Sequence, residues 1–163
     1  MSKDKTMTEH EFEQLVREYR GTIYTVCYMF SSDKEEVADL FQEILINLWK
    51  GSGKFRGDAA LNSWIYKVSL NTCISYDRAK RRRIHAGPLS LDIDLFEDRD
   101  ERARQAGKLR ERISKLGLFD RAIVLLWLEN LSYEEIGEIV GISAKNVSVR
   151  LVRIKEQLKS ASE

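Results

Sequence analysis

The stretch that decides the fold is LSYEEIGEIVGISAKNVSVRLVRIKEQLK, residues 131–159, near the C-terminal end of a chain of 163 residues. Ser132 and Glu135 stand at the spacing of a capping box and predict the start of one helix. Gly141 can adopt the conformation that a tight turn needs, and Ser143 can then cap a second helix. Two helices joined by so short a turn predict a helix-turn-helix.

The second of these helices has two chemically different sides. Val147, Leu151, Ile154 and Leu158 form a narrow apolar line at helical spacing, which we expect to be buried. The opposite side carries two cations, a hydroxyl and two valines: Lys145, Ser148, Val149, Val152 and Arg153. Cations meet phosphates or guanine, and valine contacts the thymine methyl group, so this side suits a DNA major groove. The alternative is a dimer or domain contact, because helix-turn-helix shapes also occur as packing units.

The rest of the chain divides into a linker and a second helical unit. The segment GPLSLDIDLFEDRDE, residues 87–101, contains the only proline and six carboxylates and lacks helical periodicity, so it predicts an acidic linker. No stretch of useful length alternates as a strand does. We therefore expect an all-α protein with two small helical domains, a helical bundle and a helix-turn-helix domain.

Two amphipathic helices open the N-terminal unit. The first is predicted over about residues 8–29. The second, over residues 37–50, is the most regular in the chain; Ser32 and Glu35 are its predicted capping box, and its apolar side includes Trp49. Its outward side offers four further side chains: Asp39, Gln42, Glu43 and Ile46. Periodicity alone leaves open whether that side is simply solvated or binds a partner.

A third helix, predicted over about residues 61–83, mixes aromatic, amide and basic side chains. Trp64, Tyr66, Asn71 and Tyr76 are followed by five cations in six residues: Arg78, Lys80, Arg81, Arg82 and Arg83. Rings on which bases stack, with cations that follow the phosphate backbone, suit a single-stranded nucleic acid. The same pattern fits a core helix that ends in a solvated basic tail, and composition does not separate the two.

Composition argues against several other classes of protein. The net charge is only +1, and no apolar run approaches the roughly 18 residues of a membrane span. Neither a signal peptide nor a glycine-rich phosphate loop is present, so we expect a cytoplasmic protein without membrane insertion. Cys27 and Cys73 lie in apolar patterns without metal-ligand spacing, and His10 and His85 stand alone. We therefore expect buried, reduced cysteines, no cofactor, no metal and no enzymatic activity.

Three stretches of the chain match one known family. They are VADLFQEILINLWK (37–50), FRGDAALNSWIYKVSLNTCISYDRAKRRR (55–83) and LSYEEIGEIVGISAKNVSVRLVRIK (131–155). In this order, and with an acidic linker between the second and the third, the chain resembles a bacterial sigma factor of the extracytoplasmic-function (ECF) type, within the sigma-70 family. The resemblance covers nearly the whole chain and implies a factor that gives core RNA polymerase its promoter specificity.

The resemblance also implies a role for each part of the chain. Residues 1–86 would form a sigma-2-like domain, 87–104 the acidic linker and 105–163 a sigma-4-like helix-turn-helix domain. The outward side of the 37–50 helix would bind the clamp helices of the large polymerase subunit, and the flap of the other large subunit is a further expected contact. An anti-sigma factor is an expected partner, although no residue identifies it.

At the level of residues, the resemblance implies promoter DNA contacts in both domains. Five positions would hold the melted −10 strand: Phe55, Arg56, Trp64, Lys67 and Asn71. Phe55 and Asn71 match positions that hold a flipped base, whereas Trp64 fits a core position equally well. The outward side of the second helix of the helix-turn-helix would read the −35 element. Many family members carry a basic residue where this chain has Ser148, so its −35 preference is expected to differ.

A different class of protein fits the same helices. A stand-alone helix-turn-helix regulator would use the N-terminal unit for dimerisation or sensing. Such a protein would be a dimer and would bind duplex DNA without polymerase. An ECF sigma factor would instead associate with core RNA polymerase.

Overall fold

A computed structural model describes residues 7–53, 61–83, 108–109 and 111–160. Within these ranges the chain forms six helices and a further short helical segment at 111–114: α1 (Glu9–Phe30), α2 (Lys34–Gly51), α3 (Leu61–Arg83), α4 (Leu118–Leu128), α5 (Tyr133–Val140) and α6 (Ala144–Ser160). No strand occurs among the described residues, and the predicted all-α class is confirmed. The chain divides into two compact units, Met1–Arg81 and Arg82–Glu163. The predicted linker, 87–104, lies outside the described residues.

Side-chain caps fix where α1 and α2 begin. Thr8 Oγ1 accepts a hydrogen bond from the backbone N–H of Glu11 at 3.1 Å. Asp33, rather than the predicted Ser32, caps α2, and its Oδ1 accepts from the N–H of Glu35 at 3.0 Å. A carboxylate is a strong acceptor and interacts favourably with the positive end of the helix dipole. This preference explains why the cap falls one residue later than the capping-box spacing predicts.

The core of the first unit is built from the inward sides of α1, α2 and α3. Its most deeply buried apolar side chains are exposed by no more than 3%: Ile23, Val26, Cys27, Val37, Leu40, Ile44, Leu48, Ile65, Leu70 and Cys73. Trp49 was predicted to face this core, but it is 41% exposed and meets Phe12 edge-on, with ring centroids 5.1 Å apart. Trp49 follows the buried line that ends at Leu48, so its ring reaches only the margin of the core.

A polar contact joins α2 to α3 beside this core. Asn47 Nδ2 donates a hydrogen bond to Thr72 Oγ1 at 2.9 Å, and Thr72 Oγ1 donates to the carbonyl of Val68 at 2.7 Å. Thr72 is only 7% exposed, so both bonds satisfy a hydroxyl that burial removes from water. The contact fixes α3 against α2 at the level of its middle turns.

In the second unit, α4 is the most deeply buried element. Its residues 121–126 are all buried, and Arg121 is 6% exposed. The Arg121 guanidinium donates to the backbone carbonyls of Ser114 at 2.7 Å and Leu116 at 3.0 Å. The charge is therefore buried with partners, and it satisfies carbonyls where the short helical segment ends.

The helix-turn-helix has the caps that the sequence predicts. Ser132 and Glu135 form both hydrogen bonds of the capping box, at 3.1 and 3.2 Å. Gly141 ends α5 with a φ of 84°, in the left-handed region. Ser143 Oγ accepts from the N–H of Asn146 at 3.1 Å and so begins α6.

A second glycine in α5 allows the close approach between this helix and the turn. A Cβ added to Gly137 would lie 2.4 Å from the carbonyl oxygen of Ile142, which is too close for any side chain. The same residue accepts the backbone N–H of Gly141 at 2.8 Å and that of Ile142 at 3.0 Å. Gly137 therefore sets the distance between α5 and the turn that leads into α6.

None of the helices in the described ranges is long and apolar enough to cross a membrane.

Candidate nucleic-acid interface

α6 has one side in the core of the second unit and the opposite side in solvent. Val147, Leu151 and Ile154 are exposed by no more than 1%, which confirms the predicted burial of these three residues. Leu158, the fourth residue of the predicted line, is only half-buried because it lies near the end of the helix. Val149 and Val152 are 44% and 56% exposed. Apolar side chains that are so exposed on a folded helix commonly mark a binding surface when they lie together.

The predicted polar residues of α6 lie around these valines. Lys145 and Arg153 are exposed, and Ser148 is half-buried. Among the described residues, no ion pair involves Lys145 or Arg153. Two cations and two valines thus share a solvent-exposed side, while the hydroxyl lies at its edge.

Two other cations of α6 are held by α4 instead. Arg150 Nη1 lies 2.9 Å from Asp120 Oδ1, and the Arg150 guanidinium lies 4.6 Å from the centre of the Phe119 ring. Lys155 Nζ lies 4.4 Å from the centre of the Trp127 ring. These ion-pair and cation–π contacts fix α6 on α4. Periodicity places Arg150 and Lys155 off the predicted outward side of α6, but it could not show that α4 holds both of them.

The outward side of α2 combines acids with exposed apolar groups. Asp39, Gln42 and Glu43 are exposed, and Ile46 is 48% exposed. Trp49, whose exposure the sequence did not predict, extends the apolar part of this side. Exposed isoleucine and tryptophan can exclude water against a partner helix, while the carboxylates can bind its cations. The four predicted residues therefore lie together on a surface suited to a protein partner.

α3 has a polar outward line at steps of three or four residues or their multiples. Lys67, Asn71 and Arg78 are all exposed and lie on this side of the helix. The line combines two cations with an amide that can both donate and accept hydrogen bonds. It offers the groups that a nucleic-acid strand requires, namely charge for phosphates and an amide for a base edge.

The aromatic rings of α3 lie closer to the core than a stacking surface requires. Tyr66 is 4% exposed, and Trp64 and Tyr76 are half-buried. A Cβ added to Gly51, the last residue of α2, would lie 3.6 Å from Trp64 Cζ2. This contact favours the core position for Trp64 that the sequence left open. The predicted residues at 55–56 lie outside the described residues.

The basic run at the end of α3 does not form one uniform patch. Arg78 lies on the outward line, whereas Lys80 lies on the opposite side of the helix and pairs with Glu36 of α2. The hydrogen bond from Lys80 to Glu36 raises the pKa of the lysine above its ordinary value. Residues 81–83 continue α3, and their side chains lie outside the described residues.

Cys27 and Cys73 meet in the core of the first unit. Both are fully buried, as predicted, and their thiols are hydrogen-bonded to each other. The hydrogen bond to Cys27, and then burial, raise the pKa of the Cys73 thiol. In the described part of the chain, no group of three or more His, Cys, Asp or Glu side chains could hold a metal ion.

Family comparisons match both units of the chain. The model for Sigma-70 region 2 matches residues 15–83, and the model for Sigma-70, region 4 matches residues 106–158. The chain is 30% identical to the ECF RNA polymerase sigma-E factor of Escherichia coli (strain K12), over 90% of this chain and 84% of that protein. It is 25% identical to the ECF RNA polymerase sigma factor SigM of Mycobacterium tuberculosis (strain ATCC 25618 / H37Rv), over 91% of this chain and 76% of that protein.

Two solved structures share the fold. The sigma factor RpoE from Bartonella quintana, in complex with the anti-sigma factor NepR, gives a TM-score of 0.71 at 18% identity, over 92% of this chain and 95% of that chain. CnrH, in complex with the cytosolic domain of CnrY, gives a TM-score of 0.67 at 22% identity, over 94% of this chain and 88% of that chain.

Two helical units, one of which ends in a helix-turn-helix and each of which matches a Sigma-70 region, define a bacterial transcription initiation factor. The chain belongs to the sigma-70 family and is an ECF sigma factor. As an RNA polymerase sigma factor, it directs the polymerase to specific promoters.

Proposed function

We propose that both units contact the promoter while α2 is bound to core RNA polymerase. The outward side of α6 reads the −35 element as a duplex, and the outward line of α3 contacts the melted −10 strand. The observation that carries this proposal is the exposure of Val149 and Val152 beside two exposed cations. A solvated helix surface gains nothing from exposed valines, whereas a major groove offers them thymine methyl groups.

The contacts to the −35 element are of two kinds: those that position the protein on the DNA and those that recognise bases. Lys145 and Arg153 contact phosphates or guanine, and Val149 and Val152 contact thymine methyl groups. Ser148 donates to a base or phosphate at the edge of this surface. Because position 148 lacks the basic side chain of many family members, affinity depends less on phosphate contacts and more on polymerase.

The −10 contacts stabilise a strand that is already unpaired. Lys67 follows the phosphates along α3, and Asn71 bonds a base edge. With Phe55 and Arg56, Asn71 holds a flipped base. Unstacking one base costs a few kcal/mol, so contacts that form only with the opened strand offset that cost and select sequence at the same step. Trp64 contributes mainly by supporting α3 against the end of α2.

The outward side of α2 binds the clamp helices of the large polymerase subunit. The exposure of Asp39, Gln42, Glu43 and Ile46 on one side supports this assignment. Carboxylates at the rim steer a basic partner helix, and the isoleucine is desolvated on contact. The flap of the other large subunit is the second polymerase contact.

The low net charge makes promoter binding by the two domains depend on polymerase. Residues 1–86 bind polymerase and the −10 element, and residues 105–163 bind the −35 element. Residues 87–104 form the linker between these two domains. With a net charge of +1, the free factor binds DNA weakly. Polymerase holds both units at the promoter spacing, so the second contact forms at high effective concentration.

The partners of the solved neighbours support a further protein partner. One neighbour is in complex with the anti-sigma factor NepR, and the other with the cytosolic domain of CnrY. We infer that an anti-sigma factor binds this chain and competes with polymerase. The chain acts in the cytoplasm and catalyses no reaction of its own.

Substitution of Asn71 and Phe55 tests the −10 assignment. Holoenzyme made with the Asn71→Ala and Phe55→Ala variants should bind a promoter selected from a random library but fail to open it. A fluorescent base analogue in the −10 element reports opening. Asn62→Ala removes an exposed amide elsewhere on the same helix and is the matched control. If opening survives both changes, the −10 assignment is wrong.

A further inference from the structure

Asn146 lies in the first turn of α6, beside the surface that we assign to the −35 element. Its side chain is exposed, and its backbone N–H is held by Ser143 Oγ at 3.1 Å. In the described part of the chain, the Asn146 side chain forms no hydrogen bond, so its amide group is available to a ligand.

Helical spacing places this amide in line with residues of the same surface. Asn146, Val149 and Arg153 follow one another at steps of three and four residues, and this line meets that of Lys145, Val149 and Val152 at Val149. The first turn is also the part of a recognition helix that enters the major groove most deeply, where N-terminal residues meet base edges. Asn146 therefore stands where direct reading of a base is most favoured.

The chemistry of the amide selects one base. Adenine presents an acceptor and a donor side by side in the major groove, and an asparagine amide matches both in a bidentate pair. Lysine and arginine only donate, and valine makes only apolar contacts. Among these exposed side chains of α6, the amide is thus the group that matches adenine.

We propose that Asn146 determines part of the −35 specificity by reading an adenine, next to a thymine methyl group that Val149 contacts. This inference rests on the proposed function of α6. It goes further in naming the residue and the base. Of the two contacts open to Arg153, this inference assigns it the phosphate contact, so Arg153 supplies affinity that does not depend on sequence, whereas Asn146 supplies discrimination.

The test is a selection of duplexes with a randomised −35 element by holoenzyme that contains the full chain. The wild-type protein should prefer adenine at one position, by about five- to a hundredfold over other bases. Asn146→Ala should lose that preference and keep the preferences at the other positions. Asn146→Asp should shift the preference toward cytosine, whose amino group donates to a carboxylate. Asn62→Ala, an amide in the first turn of α3, should leave the preference unchanged.

The outcomes separate this inference from the proposed function on which it rests. Arg153→Ala should weaken binding to all sequences about equally, which tests the surface itself. If Arg153→Ala weakens binding but Asn146→Ala alters no base preference, or weakens all sequences alike, the inference about Asn146 is wrong. If neither variant changes binding to the −35 element, the assignment of α6 to that element fails.

Discussion

Lys80 of α3 forms an ion pair with Glu36 of α2, so one cation of the basic run is neutralised within the protein itself. The Lys80 side chain is 45% exposed and that of Glu36 only 15%. Arg78, two residues earlier, lies on the outward line instead. The pair joins the first turn of α2 to the last turns of α3. Lys80 therefore has a structural role, whereas Arg78 is available to bind phosphate.

Substitutions in the basic run should therefore have different effects. Lys80→Gln should lower the free energy of unfolding by about 1 kcal/mol, since the pair is partly exposed and the glutamine amide can still bond Glu36, and should leave binding to a single-stranded −10 oligonucleotide nearly unchanged. Arg78→Gln should leave stability unchanged and reduce the slope of log affinity against log salt for that single strand by about 0.7, because one phosphate contact is lost. Urea denaturation and fluorescence anisotropy measure the two quantities. An equal loss of salt slope in both variants would contradict this division.

The buried Cys73 thiol gives stability a dependence on alkaline pH. The raised pKa of Cys73 keeps its proton in the folded state, whereas the unfolded chain releases it near pH 8.5. This contribution to stability is present below the ordinary thiol pKa and is lost as pH rises above it, by at most about 1.4 kcal/mol per pH unit.

The Cys73→Ala variant isolates this effect from other groups that titrate in the same range. Its free energy of unfolding should fall less steeply than that of the wild-type protein as the pH rises above about 8.5. Cys27→Ala keeps the burial of Cys73, so it should retain part of the steeper dependence. Parallel curves for Cys73→Ala and wild type would show that this thiol is not the source.

Gly137 and Gly21 have different surroundings, so we expect their substitution by alanine to change stability in opposite directions. Gly137→Ala places a Cβ 2.4 Å from the Ile142 carbonyl, and should destabilise the second unit by about 1–3 kcal/mol. Gly21, in α1, has nothing within 4 Å of an added Cβ, so Gly21→Ala should stabilise the first unit by about 0.5–1 kcal/mol. Thermal denaturation followed by circular dichroism measures both. Stabilisation by Gly137→Ala would mean that α5 lies farther from the turn.

The features that could be predicted from the sequence are the local ones. Ser132, Gly141 and Ser143 act on backbone groups a few residues away, and their roles follow from spacing. The all-α class and the buried line of α6 follow from periodicity in the same way. The choice of Asp33 over Ser32 as a cap was missed, because two adjacent acceptors compete at that point.

Contacts between distant parts of the chain could not be predicted in this way. The meeting of Cys27 with Cys73 and of Glu36 with Lys80 depends on how α1, α2 and α3 pack, which no local pattern specifies. Asn146 was missed for another reason. Only residues directly opposite the buried line of α6 were considered, and Asn146 lies at the margin of that outward side.

Binding of core RNA polymerase through the outward side of α2 is the central claim, and size-exclusion chromatography tests it most directly. In moderate salt and without DNA, the wild-type chain should co-elute with core polymerase in a one-to-one complex. Arg17→Ala, which changes an exposed residue of α1, should do the same. A variant that combines Gln42→Ala with Ile46→Ala should remain folded but elute apart from polymerase. Co-elution of that variant as tightly as the wild type, or elution of the wild type apart from polymerase as a dimer, would contradict the account.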